Sequence, residues 1–173
     1  MESVSNASPL IFLAKIEKLD LLNIHEIIIP KQVYEEISKG AEAGKEDAQK
    51  IQALVEKNIF KIEEAEINKE IEKHSIGIGE KATISLAINK KIDTVLLDER
   101  KARRIAKFYN LNPKGTLGIL INACNSNQIT KKELKESIKK LVEEGYRINE
   151  ELIFKLLNDI ENFDKIDIFQ NSL

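Results

Sequence analysis

The chain has a single cysteine, Cys124, so no intramolecular disulfide can form and no cysteine-based zinc site can be built. Its only histidines, His25 and His74, lack a ligand-spaced partner, which argues against a zinc motif. No apolar run approaches the roughly 20 residues a membrane-crossing helix needs. The start, Met1-Glu2-Ser3-Val4-Ser5, lacks the basic residues and apolar core of a secretory signal, so a cytoplasmic, reducing location is expected. Basic charge is not in excess either. The net charge is −2, which argues against passive nucleic-acid binding by a uniformly basic coat but allows a local basic rim around an acidic centre. A glycine-rich phosphate loop followed by Lys and Ser/Thr is missing, and Gly77-Ile78-Gly79 lacks the third glycine of a dinucleotide fingerprint. Ser8 stands in no nucleophile elbow. Cys124, sharing a helical segment with Leu120 and Ile121, reads as core.

What is present is enough for one domain with a sizeable core: 173 residues, 42% of them hydrophobic. Short strand-like runs alternate with helical stripes, which points to βαβ units around a parallel sheet. A first strand includes Val4 and ends near Asn6. Pro9 suits the first turn of a helix carrying Leu10, Leu13, Ile16 and Leu19. Glu26 to Ile29 is a β-branched run stopped by Pro30, which opens a short helix with Val33, Tyr34 and Ile37, closed by Gly40. Residues 41–47 read as a loop, followed by a helix with Ala48, Ile51, Leu54 and Val55 and a short strand over 58–62. Residues 61–73 are charged and carry no clear period. A helix is expected over Glu80 to Asn89. Thr94 to Leu97 is the clearest buried strand, with Asp98 at its end. Next come a helix with Ala102, Ile105, Ala106 and Tyr109 on one face, a turn or short strand over Asn110 to Lys114, and a helix over Leu117 to Cys124. The remainder is helical. Thr130-Lys131-Lys132-Glu133 is a capping-box pattern leading into Leu134, Ile138, Leu141 and Val142, with Gly145 as the stop. Leu152, Ile153, Leu156, Leu157 and Ile160 form a last stripe, and the tail beyond Phe163 is expected to fray.

Several acids sit where chemistry gathers in such folds. Asp98 directly follows the best strand, and functional side chains in open parallel sheets collect at strand carboxyl ends. Its plain alternative is a helix N-cap. Glu80 shares a helix face with Ile84, Ala87 and Ile88, so it points toward the packed side. Its plain alternative is a first-turn acid on the helix dipole. In the helix after Pro30, Glu36 lies nearer the Val33, Tyr34 and Ile37 side than Glu35 does, making Glu36 the pocket candidate and Glu35 a surface charge. Asn6 ends the first strand, where Asn most often serves a turn or cap. Taken singly, each has a structural explanation; their shared placement at strand ends and helix starts points to one pocket. The cluster Arg100, Lys101, Arg103, Arg104 and Lys107 is either a solvated face or a rim for substrate phosphates.

At these residues the chain resembles a known family. Asn6-Ala7-Ser8-Pro9-Leu10-Ile11, Ile29-Pro30-x-x-Val33-Tyr34-Glu35-Glu36, Gly77-x-Gly79-Glu80-x-Ala82, Leu96-Leu97-Asp98-Glu99-Arg100, Ala102-Arg103-Arg104 and Gly115-Thr116-Leu117-Gly118-x-Leu120 follow in that order, and Gly145-Tyr146-Arg147-Ile148 lies near the end. Each motif is loose, but the ordered set is specific and is similar to the PIN-domain proteins. The nearest likeness is to a prokaryotic subgroup described as predicted nucleic-acid-binding proteins, related to VapC-type toxins. The resemblance implies a three-layer α/β/α sandwich with a central parallel sheet over residues 1–127, with residues 128–173 a helical extension packed on the same domain. It implies a metal pocket for Mg²⁺ or Mn²⁺ formed by Asn6, Glu36, Glu80 and Asp98, with Glu36, Glu80 and Asp98 catalytic and Ser8 and Thr116 supporting. It further implies RNA as substrate near Arg100, Arg103 and Arg104, and a small antitoxin protein or a second copy of the chain as candidate partners, with no membrane. The expected activity is endoribonuclease; the alternative is a catalytically impaired binding or regulatory protein. One position departs from the pattern. The family's first acid is ordinarily Asp, and here it is Asn6, whose amide oxygen can ligate a metal but brings no charge.

Overall fold

The computed structural model describes residues 2–23, 26–162 and Ile166. The expectations for His25 and for the tail fall outside these residues, Ile166 excepted. Five strands, β1 (Glu2–Ser5), β2 (Glu26–Pro30), β3 (Phe60–Glu63), β4 (Thr94–Leu96) and β5 (Asn112–Lys114), form one all-parallel sheet in the order β3-β2-β1-β4-β5. Around it lie α1 (Ala7–Lys15), α2 (Lys31–Glu42), α3 (Glu46–Glu56), α4 (Lys69–Glu72), α5 (Ile78–Lys90), α6 (Arg100–Phe108), α7 (Thr116–Asn125), α8 (Lys131–Glu143) and α9 (Glu150–Asn162).

Side chains alternate across a strand, so each strand supplies both faces of the sheet. Ile27, Ile29, Phe60 and Leu96 join one buried cluster with α1, α2, α3, α7, α8 and α9. Val4, Ile28, Val95 and Leu97 join a second with α4, α5 and α6. The result is the expected three-layer α/β/α sandwich. Strands buried on both faces read as continuous apolar runs, which is why Ile27-Ile28-Ile29 and Val95-Leu96-Leu97 stand out in the sequence. Among the described residues, no helix is long and apolar enough to cross a membrane.

Several local readings need correction. The helix after Pro30 does not stop at Gly40 but runs to Glu42, so residues 41–47 are mostly helical. Gly40 is there for packing: a Cβ on it would stand 3.2 Å from the Ala48 Cβ of α3. The chain reverses at Gly44, whose φ of +81° suits glycine. The charged stretch 61–73 holds part of β3 and the short α4, whose Ile71 is buried. Val142 and Leu157, assigned to apolar stripes, are exposed at 44% and 36%. Each sits one residue past a buried leucine, about 100° around its helix from the Leu134–Ile138–Leu141 and Leu156–Ile160 stripes.

Thr130 caps α8, with Thr130 Oγ1 accepting from Glu133 N at 3.1 Å and Glu133 Oε2 accepting from Thr130 N at 2.7 Å. Ile166 is buried, and its backbone pairs twice with the Asn125 side chain at 2.9 Å, so at this residue the expected fraying is not found.

Candidate active site at the switch point of the sheet

In this strand order, β1 lies between β2 and β4, and the chain leaves β2 and β4 in opposite directions across the sheet. Open parallel sheets form a crevice at such a switch point, beyond the carboxyl ends of the strands. Asn6 directly follows β1, and Asp98 follows β4 by two residues. The Asn6 backbone N–H donates to the Leu96 carbonyl at 3.0 Å, extending the ladder into the crevice.

Asp98 is the most firmly held side chain there. Its Oδ1 accepts from Thr116 N at 2.7 Å and from the Tyr146 hydroxyl at 3.0 Å. Its Oδ2 accepts from Ser8 Oγ at 2.9 Å and from Thr116 Oγ1 at 2.8 Å. Thr116 opens α7, so the carboxylate faces a helix N-terminus, where the dipole favours negative charge. The approach is close: a Cβ on Gly115 would stand 3.1 Å from Asp98 Oδ1. Asp98 is not the cap of α6. Glu99 takes that role, its Oε2 accepting from Ala102 N at 2.7 Å.

The opposite wall comes from α2 and α5. Gly79 passes so close to Asn6 that a Cβ on it would lie 2.8 Å from Asn6 Oδ1, 3.2 Å from Val33 Cγ2 and 3.7 Å from Glu36 Oε2. Asn6 and Glu36 thus bring side-chain oxygens to one spot beside the start of α5. Asn6 Oδ1 is buried and has no hydrogen-bond partner. Glu36 reaches this spot from an otherwise exposed position, while Glu35 lies close enough to Lys31 to act on its charge. Glu80 is half-buried, and its Oε2 accepts from Gly77 N at 2.7 Å. Burial pushes the Glu80 carboxyl above the ordinary carboxylate range; the Gly77 hydrogen bond pulls it back, and the charges of Glu99 and then Glu36 push it up again. Glu80 therefore feels two neighbouring carboxylates, one of which, Glu99, the sequence reading did not single out.

Among the described residues, no three His, Cys, Asp or Glu side chains stand together as a ready metal-binding group. The physical reason is visible in the donors: one candidate is an amide, and both Asp98 oxygens are turned to Ser8, Thr116 and Tyr146. Arg100 and Arg104 are exposed on α6, whereas Arg103 is half-buried. Its Nη1 donates to the Asp98 and Leu97 carbonyls, the latter at 3.4 Å, and so braces the loop that carries Asp98. Tyr146 is the second residue that sequence reasoning left without a role. It stands in a loop 48 residues beyond Asp98, with no periodic pattern to mark it.

A family model for the PIN domain matches residues 2–162. The chain belongs to the PIN domain family. That membership gives it a nuclease-type fold. No curated protein and no solved structure matches the chain. In this PIN domain the match extends through α8 and α9, so the helices that bring Tyr146 to Asp98 fall within the family's own span.

Proposed function

We propose that this PIN domain is a divalent-metal-dependent endoribonuclease acting in the cytoplasm, with Asn6, Glu36, Glu80 and Asp98 holding Mg²⁺ or Mn²⁺. The observation that carries the reading is Asn6 Oδ1. A buried amide oxygen without a partner costs about 1–3 kcal/mol, and here it faces the same gap as Glu36 Oε2. An oxygen-only donor set with carboxylates suits a hard divalent cation. Such an ion would supply hydroxide from bound water and offset charge on the scissile phosphate. The chain's own residues do the rest. Ser8 and Thr116 hold the Asp98 carboxylate in one orientation, Arg103 fixes the backbone beneath it, and Glu36 and Glu80 line the wall opposite. Arg100 and Arg104 offer cations to substrate phosphates at the rim. The toxin half of a toxin–antitoxin pair, with a small protein partner or as a homodimer, is the physiological setting this activity suggests.

A second reading has its own support. Asn6 replaces a charged ligand, and among the described residues no three acidic side chains are preassembled; both favour a PIN domain that binds RNA or a regulatory partner without cutting. An RNA-cleavage assay with Mg²⁺, with Mn²⁺ and with chelator separates the two. Cleavage that depends on metal and is lost in Asp98→Asn supports the nuclease. No cleavage under any condition, with RNA still bound, gives the case to the binding protein.

A further inference from the structure

Helix α6 leaves the candidate site directly after Asp98 and Glu99, and its two sides differ in kind. Ala102, Ile105 and Ala106 are buried against the sheet. The exposed arc holds Arg100, Lys101, Arg104, Lys107 and Phe108, and it carries no acid. At about 100° per residue, Lys101, Arg104 and Phe108 fall within about 60° of one another and make one stripe. Phe108 is 77% exposed, so its ring contributes little to the core. It is nevertheless positioned. Phe108 meets Tyr109 edge to face with centroids 5.2 Å apart. Tyr109 in turn packs edge to face on His74 at 6.0 Å, with its hydroxyl 3.3 Å from His74 Nε2.

Cations along a groove or ridge, with an aromatic ring beside them, form the pattern by which single-stranded nucleic acid is held: phosphates meet the charges and a base stacks on the ring. A duplex cannot use such a ring without unstacking a pair, because its bases already have neighbours on both faces. From Arg100 to Phe108 the helix advances about 12 Å, the span of a few nucleotides. We infer that the exposed face of α6 is a track for unpaired RNA, with Phe108 stacking on one base a few nucleotides from the acidic crevice. This rests on the RNA-cleaving reading above and adds to it a binding surface outside the crevice, with Phe108 as its stacking residue. An acidic polypeptide is the rival occupant, since carboxylates would also meet the cations.

The test uses the full chain in chelator, so that binding is read apart from cleavage. The probes are a fluorescent oligouridylate and a fluorescent RNA hairpin of the same length, titrated at several salt concentrations. Wild type should prefer the unpaired probe. Phe108→Ala and Phe108→Leu should each weaken it by about five-fold or more, while Phe108→Trp should retain it. Arg104→Gln should lower the slope of log affinity against log salt by about 1. Because Phe108 is exposed, all three replacements should melt like wild type, which excludes misfolding. The inference is overturned if Phe108→Leu binds as tightly as wild type, if the hairpin is preferred, or if neither probe binds. It is also overturned if polyglutamate, but not RNA, binds in a Phe108-dependent manner. The two readings fail separately. Binding through Phe108 without Mn²⁺-dependent cleavage sinks the nuclease and spares the track; cleavage indifferent to Phe108→Ala does the reverse.

Discussion

Replacing Tyr146 by Phe removes one donor and nothing else from around Asp98, the carboxylate with the most hydrogen bonds among the described residues. The phenol donates to Asp98 Oδ1 at 3.0 Å, while its ring packs edge to face on Phe12 at 5.0 Å. The ring contact survives the change, so the experiment isolates the hydrogen bond. Burial, and next the Asp98 charge, push the Tyr146 hydroxyl well above its ordinary value, so it stays a donor throughout the usual assay range. Hydrogen bonds to charged groups are worth about 1.5–3 kcal/mol. Asp98 keeps three other donated bonds, from Ser8 and twice from Thr116, and is partly open to water, so the lower end applies. A loss of about 1.5 kcal/mol corresponds to a fall of about 3–6 °C in Tm for a chain of this size. Calorimetry on metal-free protein measures it. A double-mutant cycle with Asp98→Ala assigns it, because residues in one hydrogen-bond network should couple by about 0.5 kcal/mol or more. If Tyr146→Phe melts within about 1 °C of wild type, or the two changes simply add, the bond does not hold Asp98 and the reasoning fails.

Three further outcomes follow from the same geometry. Gly79→Ala puts a Cβ 2.8 Å from Asn6 Oδ1 and 3.2 Å from Val33 Cγ2, so a buried amide must move; thermal melting should show a loss of about 1–3 kcal/mol. An unchanged Tm would mean that the α2–α5 wall is looser than described. Asn6→Asp adds a like charge near Glu36, so metal-free protein should melt lower than wild type, Mn²⁺ should reverse the order, and any cleavage rate should rise; melting curves indifferent to Mn²⁺ in both proteins would count against the metal pocket. Glu133 is held below the ordinary 4.5, first by the Thr130 N–H and then by the Thr130 side chain. A carboxyl with a depressed folded pKa stabilises above its unfolded value and loses that stabilisation as pH falls through the folded one. Glu133→Gln should therefore lower Tm at pH 7, with the gap from wild type closing in acid; a gap independent of pH would refute the capping role.

How much of this was legible beforehand depended on whether the signal was local. The three-layer fold was readable because strands buried on both faces leave apolar runs and helices leave periodic stripes. Asp98 at the end of the best strand was readable for the same reason. Which of two adjacent acids caps α6 was not: Asp98 and Glu99 both precede the helix, and only the pull of Ser8, Thr116 and Tyr146 turns Asp98 away and leaves the cap to Glu99. Gly40 and Gly44 are alike as letters. One makes room for Ala48 and the other turns the chain, and only the three-dimensional approach of α3 separates those roles. That β4 lies beside β1 is likewise a property of the sheet order, which no run of residues encodes. The expectation that Asn6 and Asp98 share a crevice rested instead on their common placement at strand ends, reinforced by the ordered likeness to a family.

The position of Tyr146 bears on what the helical extension is for. Taken alone, α8 and α9 look like an accessory: two amphipathic helices after a complete sheet. Yet the loop between them supplies one of the donors on the Asp98 carboxylate, and Lys135 and Glu161 join the two helices by an ion pair at 2.6 Å. The surface ion pair contributes little by itself; the bond to a carboxylate in the crevice contributes more, because partial burial weakens the competition from water. A chain cut after α7 would still contain Asn6, Glu36, Glu80 and Asp98, but Asp98 Oδ1 would keep only the Thr116 N–H. The extension therefore acts on the orientation of Asp98, and the boundary between a sheet domain and a helical appendage is one of sequence order rather than of physical independence.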